Sequence, residues 1–353
     1  MRFFSLLAAA GTAGLAVAAP ATARTHEASA KASTSTKTPK LTFWGVNESG
    51  AEFGSNAWPG VYNKDYTWYN LSTYDIFIAR GMNYFRVNIL NERMAPNGLT
   101  GALDSAYLGN LTQQVNYITS KGATAFITPH NYGRYKGQVV DAASYGTYWK
   151  NLAGHFKTNA KVVFDVDNEF HDMSQTLVVQ INQAAINGIR SAGATTQYIT
   201  PEGNAWTGAW SWTTVADSTT GKTNGQTMGA LTDASNKLIY QMHQYLDSDS
   251  SGTSATCVNS TILADRLVDA TNWLRTNKKK GLIGEFAGGN NADCIAALTG
   301  GLQYMIKNSD VWMGASLWAA GPWWGTYIFN LEPTQATDIY TQVLPQLEKV
   351  VLG

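Results

Sequence analysis

From residue 41 onward, apolar runs too short for helices alternate with longer segments whose apolar positions recur at helical spacing. The short runs predict strands over 41–48, 84–90, 123–130, 162–169, 197–204, 238–245, 281–286 and 311–318. The longer segments predict helices over 108–121, 175–192, 263–277 and 293–307, and a last one over 335–351. In the second of these, Leu177, Ile181, Ala184, Ala185 and Ile189 fall on one face. Eight such alternations, each run ending in polar residues, predict an α/β chain folded as a (β/α)8 TIM barrel rather than an open sheet. The segment 205–235 is rich in Trp, Thr, Gly and Asn and reads as a binding loop without a core of its own.

A barrel of this kind carries its chemistry at the carboxyl ends of the strands, so the residues closing each run are the candidates. They are Asn47, Arg86, His130 with Asn131, Asn168 with Glu169, Asn204, His243 with Tyr245, Glu285, and Trp318. The run 162–173, Val-Val-Phe-Asp-Val-Asp-Asn-Glu-Phe-His-Asp-Met, passes abruptly from apolar to polar and delivers Glu169 to the edge. A second carboxylate, Glu285, ends the apolar run in Gly-Leu-Ile-Gly-Glu-Phe-Ala-Gly over 281–288. Acid/base chemistry on a sugar needs two carboxylates, because one cannot both protonate the leaving group and bond to what remains.

Composition narrows the partner. The 353 residues carry 25 basic and 25 acidic side chains, with a charged fraction of 14%, so neither nucleic acid nor an anionic membrane is implied. A neutral substrate suits the chain better. Its 12 Trp and 17 Tyr offer faces for the apolar C–H surfaces of sugar rings, although large barrels also bury many aromatics.

The amino terminus, Met1-Arg2 followed by an alanine-rich apolar run to Ala19, has the layout of a secretory signal peptide over 1–19, with cleavage after Ala19 or as late as Ala23. Residues 20–40 read as a disordered Ser/Thr-rich tail with too little apolar surface to fold, and 41–353 as one domain. Secretion favours a disulfide between Cys257 and Cys294 over two free thiols. Glycosylation sequons occur at Asn47, Asn70, Asn110 and Asn259; Asn47 closes the first strand and is expected near the cleft, unmodified.

Longer strings of residues carry a resemblance. Gly-Val-Asn-Glu-Ser-Gly-Ala-Glu-Phe-Gly (45–54), Thr-Pro-His-Asn-Tyr-Gly-Arg-Tyr (128–135), Asp-Asn-Glu-Phe-His-Asp-Met (167–173) and Glu-Gly-Asn-Ala-Trp-Thr-Gly-Ala-Trp-Ser-Trp (202–212) resemble secreted fungal endo-β-1,4-glucanases of glycoside hydrolase family 5. So do Met-His-Gln-Tyr-Leu-Asp-Ser-Asp (242–249), Gly-Glu-Phe-Ala-Gly-Gly (284–289) and Trp-Ala-Ala-Gly-Pro-Trp-Trp-Gly (318–325). The likeness runs from about residue 41 to the carboxyl terminus.

The resemblance implies a retaining double displacement on β-glucan, with Glu169 as acid/base and Glu285 as nucleophile. It matches Asn168 to the position that binds the sugar 2-hydroxyl, Arg86 and Tyr245 to supports of the nucleophile, and His130 and His243 to two cleft histidines. Trp318 matches the aromatic floor under the attacked sugar, and by the same analogy Trp206, Trp210 and Trp323 line further subsites. Cys257 and Cys294 fall where the family has a loop disulfide. No metal or other cofactor is implied, and a monomer is expected. The chain departs from its relatives at Asn88, Phe170, Leu317 and Thr326. Leu317 and Thr326 are expected beside the aromatic cleft, where they bear on substrate preference. A barrel with the same mechanism on mannan or xyloglucan, and a wall protein that binds glycan without cutting it, are the alternatives.

Overall fold

Alternation within each strand decides what this barrel encloses. In the computed structural model, which describes residues 40–353, the parallel strands are β1 (Phe43–Glu48), β2 (Tyr84–Ile89), β3 (Thr124–Pro129), β4 (Val162–Asp165), β5 (Tyr198–Thr200), β6 (Tyr240–Tyr245), β7 (Gly281–Ala287) and β8 (Trp312–Ala320). They form one eight-stranded sheet in the order β5-β4-β3-β2-β1-β8-β7-β6. Parallel bridges Ile199–Leu238 and Glu202–Gln241 join its two ends into a nearly closed barrel. The expected signal segment over 1–19 and the tail up to residue 39 lie outside the described residues.

Side chains two apart on a strand share a face. At the bottom of the barrel Phe43, Tyr84, Phe126, Val163, Ile239 and Leu282 form an apolar plug, with the Tyr84 and Phe126 ring centroids 4.0 Å apart. Two residues further along, the same inward face carries Arg86, Thr128, Asp165, Thr200, Gln241 and Ser316, all fully buried. The outward face carries Phe85, Val87, Ile127, Phe164, Ile199, Met242 and Ile283, which pack into the main core under the helices. A polar layer thus rests on an apolar plug, and the site stands on that layer.

The helices follow from caps and apolar stripes. Ser174 accepts the Leu177 N–H and starts the helix Gln175–Ser191, which buries Val178, Ile181, Ala185 and Ile189. Asp104 caps Ser105–Ser120, so this helix begins earlier than the apolar spacing predicts. Two further long helices, Leu71–Ala79 and Ala142–Phe156, occupy the first and third connections. The last predicted helix is broken. A turn at Pro333–Gln335 precedes a π-helical stretch Ile339–Val343 and an α-helix Leu344–Leu352. Pro345 supplies no N–H to the carbonyl four residues earlier, and the ladder widens ahead of it.

The segment 205–235 shares the barrel's core rather than lacking one: Trp212, Met228 and Leu231 are buried in it, with Trp212 edge-on to Trp273 at 5.3 Å. The Cys257–Cys294 disulfide is present and ties the loop after β6 to the helix Ala292–Lys307. Asn47 is fully buried, whereas Asn70 and Asn259 are exposed. No helix among the described residues is long and apolar enough to cross a membrane.

Candidate active site

Arg86 organises the centre of the site. Its buried guanidinium spends every donor: Nε on Asp165 Oδ2 at 2.8 Å, Nη1 on Glu285 Oε1 at 2.6 Å and Asn47 Oδ1 at 2.9 Å, and Nη2 on Asn168 Oδ1 at 2.8 Å and Glu202 Oε1 at 3.0 Å. The second oxygen of Glu285 accepts the Tyr245 hydroxyl at 2.7 Å. Both oxygens of this carboxylate therefore face donors, and its geometry is set before any ligand arrives.

Glu169 sits differently. The strand β4 stops at Asp165, four residues before the predicted end, and the chain leaves the sheet so that Glu169 adopts a left-handed φ of 52°. Such a conformation costs a non-glycine residue about 1–3 kcal/mol and needs support from its surroundings. Support comes from Glu202 Oε2, which accepts the Glu169 backbone N–H at 2.7 Å. The Glu169 side chain meets His243 Nδ1 at 2.7 Å, and the same nitrogen lies 3.6 Å from Glu285 Oε2.

An oxygen from Glu169, one from Glu285 and a ring nitrogen of His243 all lie within 4.8 Å of one another. Carboxyls with oxygens that near are closer to the roughly 5–5.5 Å pairs of retaining glycosidases than to the roughly 6.5–9.5 Å pairs that leave room for a water in inverting ones. The same three atoms are the set among the described residues that could reach a common cation. Arg86 and Tyr245 already occupy the Glu285 oxygens, so the trio is organised for proton and sugar chemistry.

Environment separates the two carboxyls. Burial pushes Glu285 up to about 7, against the Arg86 charge and the Tyr245 and Arg86 hydrogen bonds, which favour its anion. Burial, and then the Glu285 charge, push Glu169 well above the usual carboxylate range, with only the Arg86 charge in opposition. The Arg86 and Tyr245 donors mark Glu285 as the carboxyl built to hold negative charge, which leaves Glu169 as the place for a proton shared by the pair. His243 is pushed well below its ordinary value by burial and Arg86, and His130 falls to about 3 for the same reasons, so both are neutral imidazoles. Burial holds Tyr245 as a phenol.

These groups open into a cavity of about 1200 Å³. His130, Glu169, His243, Tyr245, Glu285, Trp206, Trp210 and Trp318 all line it. Trp318 lies under His130, ring centroids 5.4 Å apart, and Asn168 donates to His130 Nε2 at 3.2 Å. Trp206, half exposed, stacks on His171 at 4.7 Å and 7°. Trp323 is not in the lining and is 40% exposed; its neighbour Trp324 turns inward instead, edge-on to Trp318 at 5.7 Å. Thr326 lines the cavity as expected. Leu317 does not: between inward-facing Ser316 and Trp318 it points outward and is buried in the main core beside Leu298, Leu331 and Leu344.

Three functional groups escaped the sequence reading: Asp165, Glu202 and Gln241. Gln241 Nε2 donates to Asp165 Oδ2 at 2.8 Å and also to Glu202 Oε1. The available signal was a charged residue inside a run that should be buried on both faces. Tyr132, whose hydroxyl lies 3.1 Å from His130 Nε2, also lines the cavity without having been singled out.

With this geometry in place, comparison with known proteins is decisive. Residues 46–321 match the model of the cellulase family, glycosyl hydrolase family 5. The chain belongs to that family. It is 52% identical over 349 residues to endo-beta-1,4-glucanase B of Aspergillus niger, covering 99% of both chains. Among solved structures, an endo-beta-1,4-glucanase of Xanthomonas axonopodis pv. citri is 39% identical with a TM-score of 0.83, over 88% of this chain and 100% of that one. The structure of XacCel5A in complex with cellopentaose is 38% identical with a TM-score of 0.84, over 88% and 100%.

Proposed function

We propose that this family 5 glycosidase is a secreted endo-β-1,4-glucanase that cuts internal bonds of cellulose and related β-glucans with retention, with Glu285 as nucleophile and Glu169 as acid/base. The carrying observation is the pair itself: two carboxyls with atoms within 4.8 Å, one clamped by Arg86 and Tyr245, the other facing a neutral histidine. In the first step a Glu285 oxygen attacks the anomeric carbon while the Glu169 proton passes to the departing glycosidic oxygen. In the second, Glu169 takes a proton from water, which attacks the same carbon and releases Glu285. Asn168, held through its oxygen by Arg86, presents its amide near a sugar 2-hydroxyl, a contact that strengthens as positive charge develops on the ring. The names of the relatives and the cellopentaose complex support β-1,4-glucan as substrate. The apolar amino-terminal segment and the disulfide support secretion.

The test is a panel of carboxymethylcellulose, barley β-glucan, mannan and xyloglucan, with viscosity and reducing ends followed together. Internal cleavage of β-glucan gives a rapid viscosity drop on the first two with few new ends. Activity confined to mannan or xyloglucan moves the substrate while keeping the mechanism; no hydrolysis at all refutes the proposal.

A further inference from the structure

Glu202 is the buried carboxylate through which both halves of the site are joined. It follows β5, is fully buried, and accepts from Arg86 Nη2 at 3.0 Å, from Gln241 Nε2, and from the Glu169 backbone N–H at 2.7 Å. Every hydrogen bond it makes is one it accepts, so the cage of Arg86, Gln241 and the Glu169 N–H stabilises the anion against burial and the Asp165 charge, which push this carboxyl up. The fourth neighbour is His243, whose Nε2 is buried, has no hydrogen-bond partner within the protein, and lies 3.6 Å from Glu202 Oε1. The opposite ring nitrogen is the one at 2.7 Å from Glu169. The imidazole is therefore strung between two carboxyl groups, Glu202 behind and Glu169 in front.

Resting on the assignment of Glu169 as acid/base, we propose that Glu202 is a positioning residue for proton transfer: it fixes the left-handed backbone of Glu169 and, through His243, favours the protonated carboxyl. The electrostatics run in one direction. A neutral His243 has one ring proton, and the Glu202 anion draws it to Nε2. Nδ1 is then a lone pair, which can accept the Glu169 hydroxyl but repels the Glu169 anion. The acid is thus held in its neutral form before the first step, and the anion left after proton donation is a stronger base for the second. Six groups face the Glu169 carboxyl or its amide: Arg86 from β2, Tyr132 after β3, Glu202 after β5, His243 and Tyr245 from β6, and Glu285 from β7. Of these, Arg86 alone is a cation opposing the effect. In a Glu202→Gln side chain the amide would set a donor against either Arg86 and Gln241 or the Glu169 N–H.

The experiment compares kcat/KM for cellotetraose and for 2,4-dinitrophenyl β-cellobioside, whose leaving group needs no proton, across pH in the whole protein and in E202Q, E202D and E169Q. For E202Q the expected result is a loss of roughly 10- to 100-fold on cellotetraose and under about 3-fold on the aryl glycoside. Its basic limb should also move about one pH unit toward acid, because the acid sheds its proton more easily without the Glu202 charge. E202D keeps the charge but is too short to reach all its partners, so it should lose cellotetraose activity selectively with the limb in place. Equal losses on both substrates with an unmoved limb would reduce Glu202 to a structural role and overturn the inference. If E202Q does not fold, E202D decides alone: a selective loss supports the proposal and an equal loss overturns it. E169Q separates the two levels. A flat loss there sinks the acid assignment of Glu169, whereas a selective loss there with a flat one in folded E202Q or E202D sinks only the role of Glu202.

Discussion

Arg86 and Glu285 meet at 2.6 Å beneath the cavity, yet the same guanidinium also serves Asp165 and Glu202, so one cation is shared by three buried carboxylates. The planar fork is what makes this sharing possible, because its donors diverge in fixed directions. A lysine keeps the charge but reaches one partner well. R86K is expected to reduce kcat/KM on soluble β-glucan by about two to three orders of magnitude and to move the acidic limb of the profile upward, since Glu285 loses part of the support for its anion. An acidic limb that stays in place in folded R86K would show that Arg86 does not set the ionisation of Glu285.

Stability is expected to depend on Glu48. This residue is fully buried, neither carboxyl oxygen has a hydrogen-bond partner in the protein, and burial together with Glu332 and Glu52 pushes it well above the usual carboxylate range. A group whose folded pKa is raised contributes its full stability below the unfolded value, about 4.3 for Glu, and loses it as pH climbs toward the folded value. Glu52, Asp167 and Glu202 shift in the same sense. His130 and His243 act oppositely, giving up stability as pH falls below about 6.5. E48Q keeps a neutral side chain at every pH, so the difference in Tm between E48Q and the unaltered protein should grow in favour of E48Q from pH 4.5 to pH 8. Parallel melting curves across that range would contradict this reading of Glu48.

The barrel was legible because strands buried on both faces leave continuous apolar runs that no exposed helix imitates, and because the residues ending those runs are polar. His130, Glu169, His243, Tyr245 and Glu285 are brought to one cavity on that logic, with Arg86 buried beneath it and bonded to Glu285. Parity was the part that reading by run-ends passed over. Leu317 and Trp318 are adjacent in sequence but face opposite sides of β8, so only the tryptophan reaches the cavity. Glu202 lies inside a predicted strand rather than at its edge, and its role depends on partners from β2, from the segment after β4 and from β6 that no local pattern brings together. The choice between Trp323 and Trp324 is made by a loop whose path depends on Phe53 and Tyr327, which pack on Trp324 at 5.0 and 4.3 Å.

Two of the exposed indoles, Trp206 and Trp323, give a contrast within one protein. Trp206 lines the cavity with one face braced by His171, so W206A should weaken cello-oligosaccharide binding by about 1.5 kcal/mol, roughly tenfold in KM. Trp323 lies outside the lining, and W323A should leave KM for the same oligosaccharide unchanged. Steady-state kinetics on cellotetraose and cellopentaose checks both; a larger effect at Trp323 than at Trp206 would relocate the outer subsite.

Cys257 and Cys294 close a segment with a sequence separation of 37. Chain-entropy reasoning gives the bridge about 4 kcal/mol of stability, so the double replacement C257S/C294S should lower Tm by roughly 6 °C in a chain of this size. A reductant should lower the Tm of the unaltered protein similarly and leave that of the variant unchanged. A variant with undiminished Tm would mean that the loop is held by its hydrogen bonds alone.

The most direct measurement is to trap the covalent intermediate. A 2,4-dinitrophenyl 2-deoxy-2-fluoro-β-cellobioside forms the glycosyl-enzyme but hydrolyses it slowly, because the fluorine destabilises the oxocarbenium-like transition states while the activated leaving group keeps the first step accessible. Mass spectrometry of the digested protein should place one fluorocellobiosyl group on the peptide containing Glu285, at that side chain, and E285Q should take up none. Labelling at Glu169, or no adduct in an enzyme that still hydrolyses β-glucan, would contradict the retaining two-glutamate mechanism.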